Sequence, residues 1–202
     1  MAVIGLSKPY YATYTNSGTT VTYGGASSLG KACEIGISID EADPTILYAD
    51  NGPAETASGF SGGTLTLQID ELSIGVAGAI MGVVPTSSTT PSGSNNVITL
   101  GGTAAAPYLG FGIVVKKQVS NSYKWLAIIL HKIQFKVPAM NATTQGESVE
   151  FQTPELAATV LRDDTSSNNW CTQGQFDTEE NAVSFITNFL AAPTTNGAGG
   201  GG

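Results

Sequence analysis

Alternation of apolar and polar positions is the dominant signal along the chain. Across residues 32–40, Ile35, Ile37 and Ile39 are apolar while Glu34, Gly36, Ser38 and Asp40 are small or polar. Successive strand side chains point to opposite faces, so this period of two predicts a half-buried strand. Residues 63–70 repeat the pattern, with Leu65, Leu67 and Ile69 on one face and Thr64, Thr66, Gln68 and Asp70 on the other. Shorter strands are predicted at 10–14, 19–23 and 44–48, around turns at Asn16-Ser17-Gly18 and Gly24-Gly25. Long strands are predicted at 109–119, 123–137 and 146–161, the first two joined through residues 120–122 as a hairpin. Pro138 and Pro154 mark ends or bends of these strands.

Two stretches change period. At 177–190, Asp177 stands as a cap with Glu180 three residues on, and Ala182, Phe185, Ile186, Phe189 and Leu190 form one apolar stripe, which predicts a helix laid on a sheet. Residues 72–81, after Asp70-Glu71, read either as a second helix or as a glycine-rich strand, because each helical glycine costs about 1 kcal/mol. Residues 85–96 are Pro-, Ser- and Thr-rich and are expected to be a low-complexity loop that neither packs nor extends a sheet. The last residues, 193–202, are a glycine-rich tail expected to be flexible. No repeat of fixed period and no second domain boundary is evident. The fold class expected is therefore mainly β, a sandwich or barrel-like single domain over 1–192 with one or two flanking helices.

Composition narrows the function classes. The 202 residues carry 8 Lys+Arg against 16 Asp+Glu, a net charge of −8, which is the wrong sign for gripping phosphate backbones or anionic lipid. Charged residues are only 12% of the chain, about half the usual share, and none occurs in the 44 residues from 72 to 115. The longest apolar stretch, 72–84, is interrupted by three glycines and falls short of the roughly 20 residues a membrane span needs. No secretory leader is read at the N-terminus, and Cys33 and Cys171, 138 residues apart, match no metal or disulfide framework.

The search for catalytic chemistry returns no assignment. His131, the only histidine, sits in a predicted strand without an evident nucleophile or orienting carboxylate, and a structural or surface role is expected. Asp163-Asp164 and Asp40-Glu41 with Asp43 lack the alternating-oxygen spacing of a calcium loop and read as acidic strand ends and turns. Gly101-Gly102 and Gly110-x-Gly112 lack a following phosphate-binding helix, so they read as turns and close packing. No cofactor, metal or catalytic residue is expected. Trp125 and Trp170 are the only candidate sugar platforms, and tryptophans more often anchor a β core.

The segments at 4–14 (IGLSKPYYATY), 47–51 (LYADN), 63–72 (GTLTLQIDEL) and 106–112 (APYLGFG) resemble the major tail proteins of long-tailed, non-contractile phages of Gram-positive bacteria. The segments at 131–135 (HKIQF) and 144–155 (TQGESVEFQTPE), followed by DTEE from Asp177, resemble the same family in the same order. The resemblance covers most of the chain outside 85–105 and the last ten residues. It implies a structural virion protein assembled in the host cytoplasm, a tail tube subunit forming homohexameric rings that stack into a conduit for genome DNA. The partners implied are further copies of the chain, a tape-measure protein and tail terminator and initiator proteins, with DNA passing through unbound. If each subunit lends four strands, about 24 strands tilted near 40° give a barrel of roughly 48 Å backbone diameter, wide enough for an aqueous channel.

On this reading Glu34, Ser38, Asp40, Thr66, Gln68 and Asp70 are candidate lumen-facing residues, the carboxylates repelling passing phosphates. The excursion 41–62, with Asp43, Asp50, Asn51, Pro53 and Glu55, reads as a long loop rather than a tight hairpin and is the candidate ring-stacking segment, assisted by an N-terminal arm at 1–15. The 177–190 helix is expected on the outer side of the sandwich. The alternatives are a capsid decoration protein and a carbohydrate-binding tail module.

Overall fold

In the computed structural model, residues 2–43, 45–49, 52–57, 59–90, 93–101, 105–119, 122–139 and 153–191 are described. Strands β1 (Ala2–Ser17), β2 (Thr20–Tyr23), β3 (Ser27–Ser28), β4 (Ala32–Glu41) and β7 (Phe60–Ile69) come from the first third of the chain. Strands β10 (Tyr108–Val119), β11 (Ser122–Phe135), β12 (Glu155–Leu161) and β13 (Cys171–Phe176) follow helix α1 (Ile74–Met81), and helix α2 (Glu179–Ala191) closes the described chain. These nine strands form one antiparallel sheet in the order β2-β1-β10-β11-β12-β7-β4, with β13 paired to β11 beside β12 and β3 paired to β1. The fold is mainly β and sandwich-like.

The alternation sets which face is buried. Leu65, Leu67 and Ile69 on β7 and Leu156, Ala158 and Val160 on β12 pack into one cluster with Leu109, Phe111 and Ile113 on β10 and Leu130, Ile133 and Phe135 on β11. Ile35 and Ile37 on the edge strand β4 pack against the same cluster and stay partly buried. Helix α1 plugs it with Ala77, Ile80 and Met81. A second cluster lies on the opposite face of β10 and β11, where Val114, Ala127 and Ile129 meet Tyr14, Val21 and Tyr23 and the α2 residues Ala182, Ile186 and Leu190. The central pair β10–β11 is thus covered on both sides, which is why its sequence is nearly continuously apolar rather than alternating.

Glycines bring α2 close. A Cβ on Gly110 would lie 2.6 Å from the Tyr23 ring and 2.8 Å from Leu190, and one on Gly112 would overlap Cγ2 of Ile186. The large-glycine alternation of β10 sends Leu109, Phe111 and Ile113 into the sandwich and leaves a groove for the helix on the other side. The α2 stripe is split by depth: Ala182, Ile186 and Leu190 are fully buried, while Phe185 and Phe189 are half-buried at its margin. Burial of Ile186 and Leu190 contributes roughly 1.5–3 kcal/mol each. The helix lies on the outer side of the sandwich, as expected.

Several boundaries differ from the sequence reading, each for a local reason. The short strand at 10–14 is the middle of the 16-residue β1, and residues 2–15 of the expected N-terminal arm are part of it. From Ala2 to Thr13 it pairs with β10, with irregularities at Val3/Gly5 and Ser7/Tyr10; the second accommodates Lys8, at φ 52, and the proline after it. Residues 72–81 are helical from Ile74 because both ends are capped. Ser73 Oγ accepts from Val76 N at 3.4 Å, and Gly82 ends the helix in the left-handed region at φ 71. Asp70-Glu71 does not start it. At α2 the cap is Thr178, whose Oγ1 accepts from Asn181 N, and Asp177 instead pairs with Lys124.

The stretch 85–96, expected as a loop, contains strands β8 (Thr86–Thr90) and β9 (Gly93–Val97), paired with each other and with no other strand. The β-branched threonines favour extended backbone. The excursion 41–62 contains a hairpin of β5 (Thr45–Ala49), which matches the strand expected at 44–48, and β6 (Gly52–Ala57), where a long loop rather than a tight hairpin was expected. The strand expected at 146–161 begins at Glu155, and residues 140–152 lie outside the described residues, as do 192–202.

Substitution of Gly112 by Ala is expected to destabilise the fold by about 1–3 kcal/mol, because Ile186 is fully buried and has nowhere to move. Gly75→Ala, on α1 where a Cβ meets nothing within 4 Å, is expected to stabilise by up to about 1 kcal/mol. Urea denaturation of the two variants beside the wild type measures both signs.

Candidate functional site

The outward face of β4, β7 and β12 is mainly polar, interrupted by Gly36, Gly62, Ala157 and Leu161. Register places Glu34 opposite Gln68 and Gln68 opposite Glu155; Gly36, Thr66 and Ala157 form the next row, and Ser38, Thr64 and Thr159 the one after. Thr159 is opposite Gln134 of β11, so four adjacent strands share one polar row. Of the candidate lumen residues, Glu34, Ser38 and Asp40 are exposed, and Thr66 and Gln68 are half-buried between their neighbours. Outward positions on β4, β7 and β12 carry acidic residues and no basic one. Glu155 belongs to this face and was missed, although its parity with Ala157 and Thr159 against Leu156, Ala158 and Val160 marks it.

Asp70 departs from the set. Its Oδ1 accepts from the backbone N of Lys31 at 2.8 Å and of Glu71 at 2.9 Å, and Oδ2 lies 3.4 Å from Lys31 Nζ. The Lys31 amide above all, together with the Glu71 amide and the Lys31 ammonium, outweighs the loss of hydration and holds this carboxyl below its usual range. Asp70 therefore ties the start of β4 to the end of β7 rather than standing free. Of the candidate stacking residues, Asp43 is exposed just beyond β4. Pro53 and Glu55 lie on β6, opposite Tyr48 and Leu47, and Asp50 and Asn51 lie outside the described residues.

The second constellation is buried. Opposite β10, strand β11 has one extra residue between Leu130 and Ile133. That bulge lets Leu130 and Ile133 both enter the sandwich core while His131 turns to the α2 side, its ring 5.0 Å from that of Phe189. His131 Nδ1 is 2.8 Å from Asp163 Oδ2 and Nε2 is 2.7 Å from Thr172 Oγ1. Asp163 Oδ1 accepts from the Thr165 amide and hydroxyl, and Tyr23 donates to the His131 carbonyl at 2.9 Å. The orienting carboxylate and hydroxyl that the sequence did not offer are thus supplied by a loop 32 residues away and by β13.

Next to it, Asp164 Oδ2 accepts from Lys132 Nζ and from Tyr14 Oη, both at 2.7 Å, and the Asp164 amide donates to Tyr14 Oη at 2.8 Å. Lys132 Nζ lies 4.4 Å from the centroid of the Tyr108 ring and 5.1 Å from that of Tyr14. Burial pushes the Asp164 carboxyl up, but the bonds from Lys132 and Tyr14 outweigh it and leave the group below its usual value. Tyr14 and Tyr23 are pushed upward, chiefly by burial and secondarily by the neighbouring acidic groups and phenol. The adjacent aspartates, read as a turn, hold separate partners and brace β11, β1 and β13 through one loop.

The other sequence candidates resolve simply. Trp170 stacks on Phe60 at 5.1 Å and packs against the sandwich core, and Trp125 packs against the second cluster, so both serve as anchors rather than open sugar platforms. Cys33 is exposed on β4 and Cys171 is half-buried on β13. Among the described residues no cluster of His, Cys, Asp and Glu could hold a metal, and no helix is long and apolar enough to cross a membrane. No family model matches the chain, and no curated protein matches it significantly.

Asp163→Ala is expected to cost about 1–3 kcal/mol, because it leaves the buried imidazole of His131 without one of its two partners; thermal unfolding at neutral pH measures it. The Asp164 group has a folded value below its unfolded one, so its stabilisation is full above the ordinary value of about 3.9 and is lost as pH falls through the lower folded value. Acid titration of Asp164→Asn followed by circular dichroism is expected to show a shallower loss of stability below about pH 4 than the wild type.

Proposed function

We propose that the chain is a major tail tube subunit, a structural virion protein whose hexameric rings stack into the conduit for genome DNA. The observation that carries this reading is the mainly polar face of β4, β7, β12 and the end of β11, with Glu34, Asp40 and Glu155 outward and α2 on the opposite outer side. Four adjacent strands are what the resemblance to phage tail proteins asks each subunit to lend to the channel wall. A wall that is polar, acid-bearing and free of outward lysine or arginine on its three outer strands wets the channel and repels phosphates. The repulsion reaches about 8–10 Å into the lumen at ordinary salt, so it acts on DNA that approaches the wall and leaves the axis undisturbed.

The rest of the molecule supports a passive role. His131 is held by Asp163 and Thr172 beneath Phe189, a placement that suits bracing better than turnover. DNA passes without specific binding, and tape-measure, terminator and initiator proteins meet the ends of the tube.

Negative-stain microscopy of the concentrated protein is expected to show rods with a central channel. In the triple variant Glu34→Lys, Asp40→Lys, Glu155→Lys, tubes of normal diameter should retain duplex DNA at low salt and release it at high salt, whereas wild-type tubes retain none. Equal retention by both would remove the lumen assignment, and the absence of any tube from wild-type protein would remove the function.

A further inference from the structure

Exposed apolar side chains gather at opposite ends of the long β10–β11 pair. At one end are Val84, 82% exposed just past the C-cap of α1, and Val137, 68% exposed two residues beyond β11, with Leu100 and Tyr108 also exposed. The start of β10 and the α1 C-cap touch, since a Cβ on Gly82 would lie 3.1 Å from Pro107 Cδ. At the other end are Val3, 60% exposed, Ile4, and Tyr123, 50% exposed. Register brings these together through Val3 opposite Lys117 and Gln118 opposite Tyr123. The 12 residues of β10 separate the two ends by about 40 Å.

The charges at the two ends differ in balance. The Val3 end carries Lys116, Lys117 and Lys124 beside the acidic start of α2, where Asp177 pairs with Lys124 and Glu179 with Lys8; Lys116, 4.2 Å from the Tyr123 ring centroid, and Lys117 against Glu180 leave a small positive excess. At the Val84 end, Glu34 and Glu155 flank Gln68 in one row of the sheet, and Glu71 follows Asp70 beyond β7; the cations nearby are Lys136, Lys132, which pairs with Asp164 and lies 4.4 Å from the Tyr108 ring centroid, and Lys31, which is engaged with Asp70, so the balance there is negative. Two apolar patches on one chain, far apart and opposite in charge, cannot cover each other within a copy. They complement each other between copies in a head-to-tail, non-closing contact.

We propose that these two ends are the halves of one contact between successive copies, the Val84–Val137 end of one subunit receiving the Val3–Tyr123 end of the next. This rests on the tail tube reading for the ring itself, and it assigns ring stacking to the ends of β10–β11 in addition to the 41–62 excursion. The occupant of each patch is a second copy of this chain.

The test uses the full chain carrying Val84→Asp with Val137→Asp, or Val3→Asp with Tyr123→Ser, all at exposed positions, so melting temperatures should match wild type. Each double variant is expected to reduce tube number at least tenfold by microscopy and leave single rings in sedimentation velocity. An equimolar mixture should form paired rings and no longer tubes, because each variant keeps one intact half. Undiminished tubes from either variant, or pairing of one variant with itself, overturns the head-to-tail assignment while the tube reading stands. Wild-type protein that forms open oligomers without tubes, lost in both variants, overturns the tube reading and keeps the contact. A wild type that stays monomeric at high concentration overturns both.

Discussion

Everything in this molecule is arranged around a strand pair that has no solvent face. β10 and β11 carry the sandwich core on one side and α2 on the other, and a sheet covered on both sides requires close approach somewhere. Here the approach is made by deleting side chains: Gly110 and Gly112 leave only backbone beneath Leu190 and Ile186. Read alone, the same residues allowed either turns or close packing. Their effect depends on the large residues between them pointing the other way.

The bulge in β11 is the second consequence. Keeping Leu130 and Ile133 in the core across an odd spacing needs one extra residue, and that residue is where the only histidine enters the α2 side. Once buried there it must be satisfied. Asp163, Thr165 and Thr172 do so, and Tyr14, Lys132 and Asp164 complete a neighbouring network in the same loop. No buried side-chain nitrogen or oxygen among the described residues lacks a partner. A polar network of this kind is costly when partly satisfied and rigid when complete.

The division of labour between the two layers follows. The layer of β4, β7 and β12 keeps strict alternation because its outer face meets water, and the acidic residues collect on that face. The opposite outer side is closed by α2. The hydrated, acid-bearing surface and its rigid backing thus lie on different layers.

Much of this was legible in the residues. The alternation at 32–40 and 63–70 defined the buried and outward sets, and the stripe from Ala182 to Leu190 defined a helix on a sheet, because each of these depends on local periodicity against a single boundary between apolar and aqueous surroundings. The tertiary structure decided the rest. Which glycines are turns and which are contacts, which carboxylate of Asp163-Asp164 meets His131 and which meets Lys132, and whether Asp70 stands free all depend on neighbours 30 to 150 residues distant. Periodicity reports the side of an element on which a residue lies. Only the packing of elements determines what it meets there.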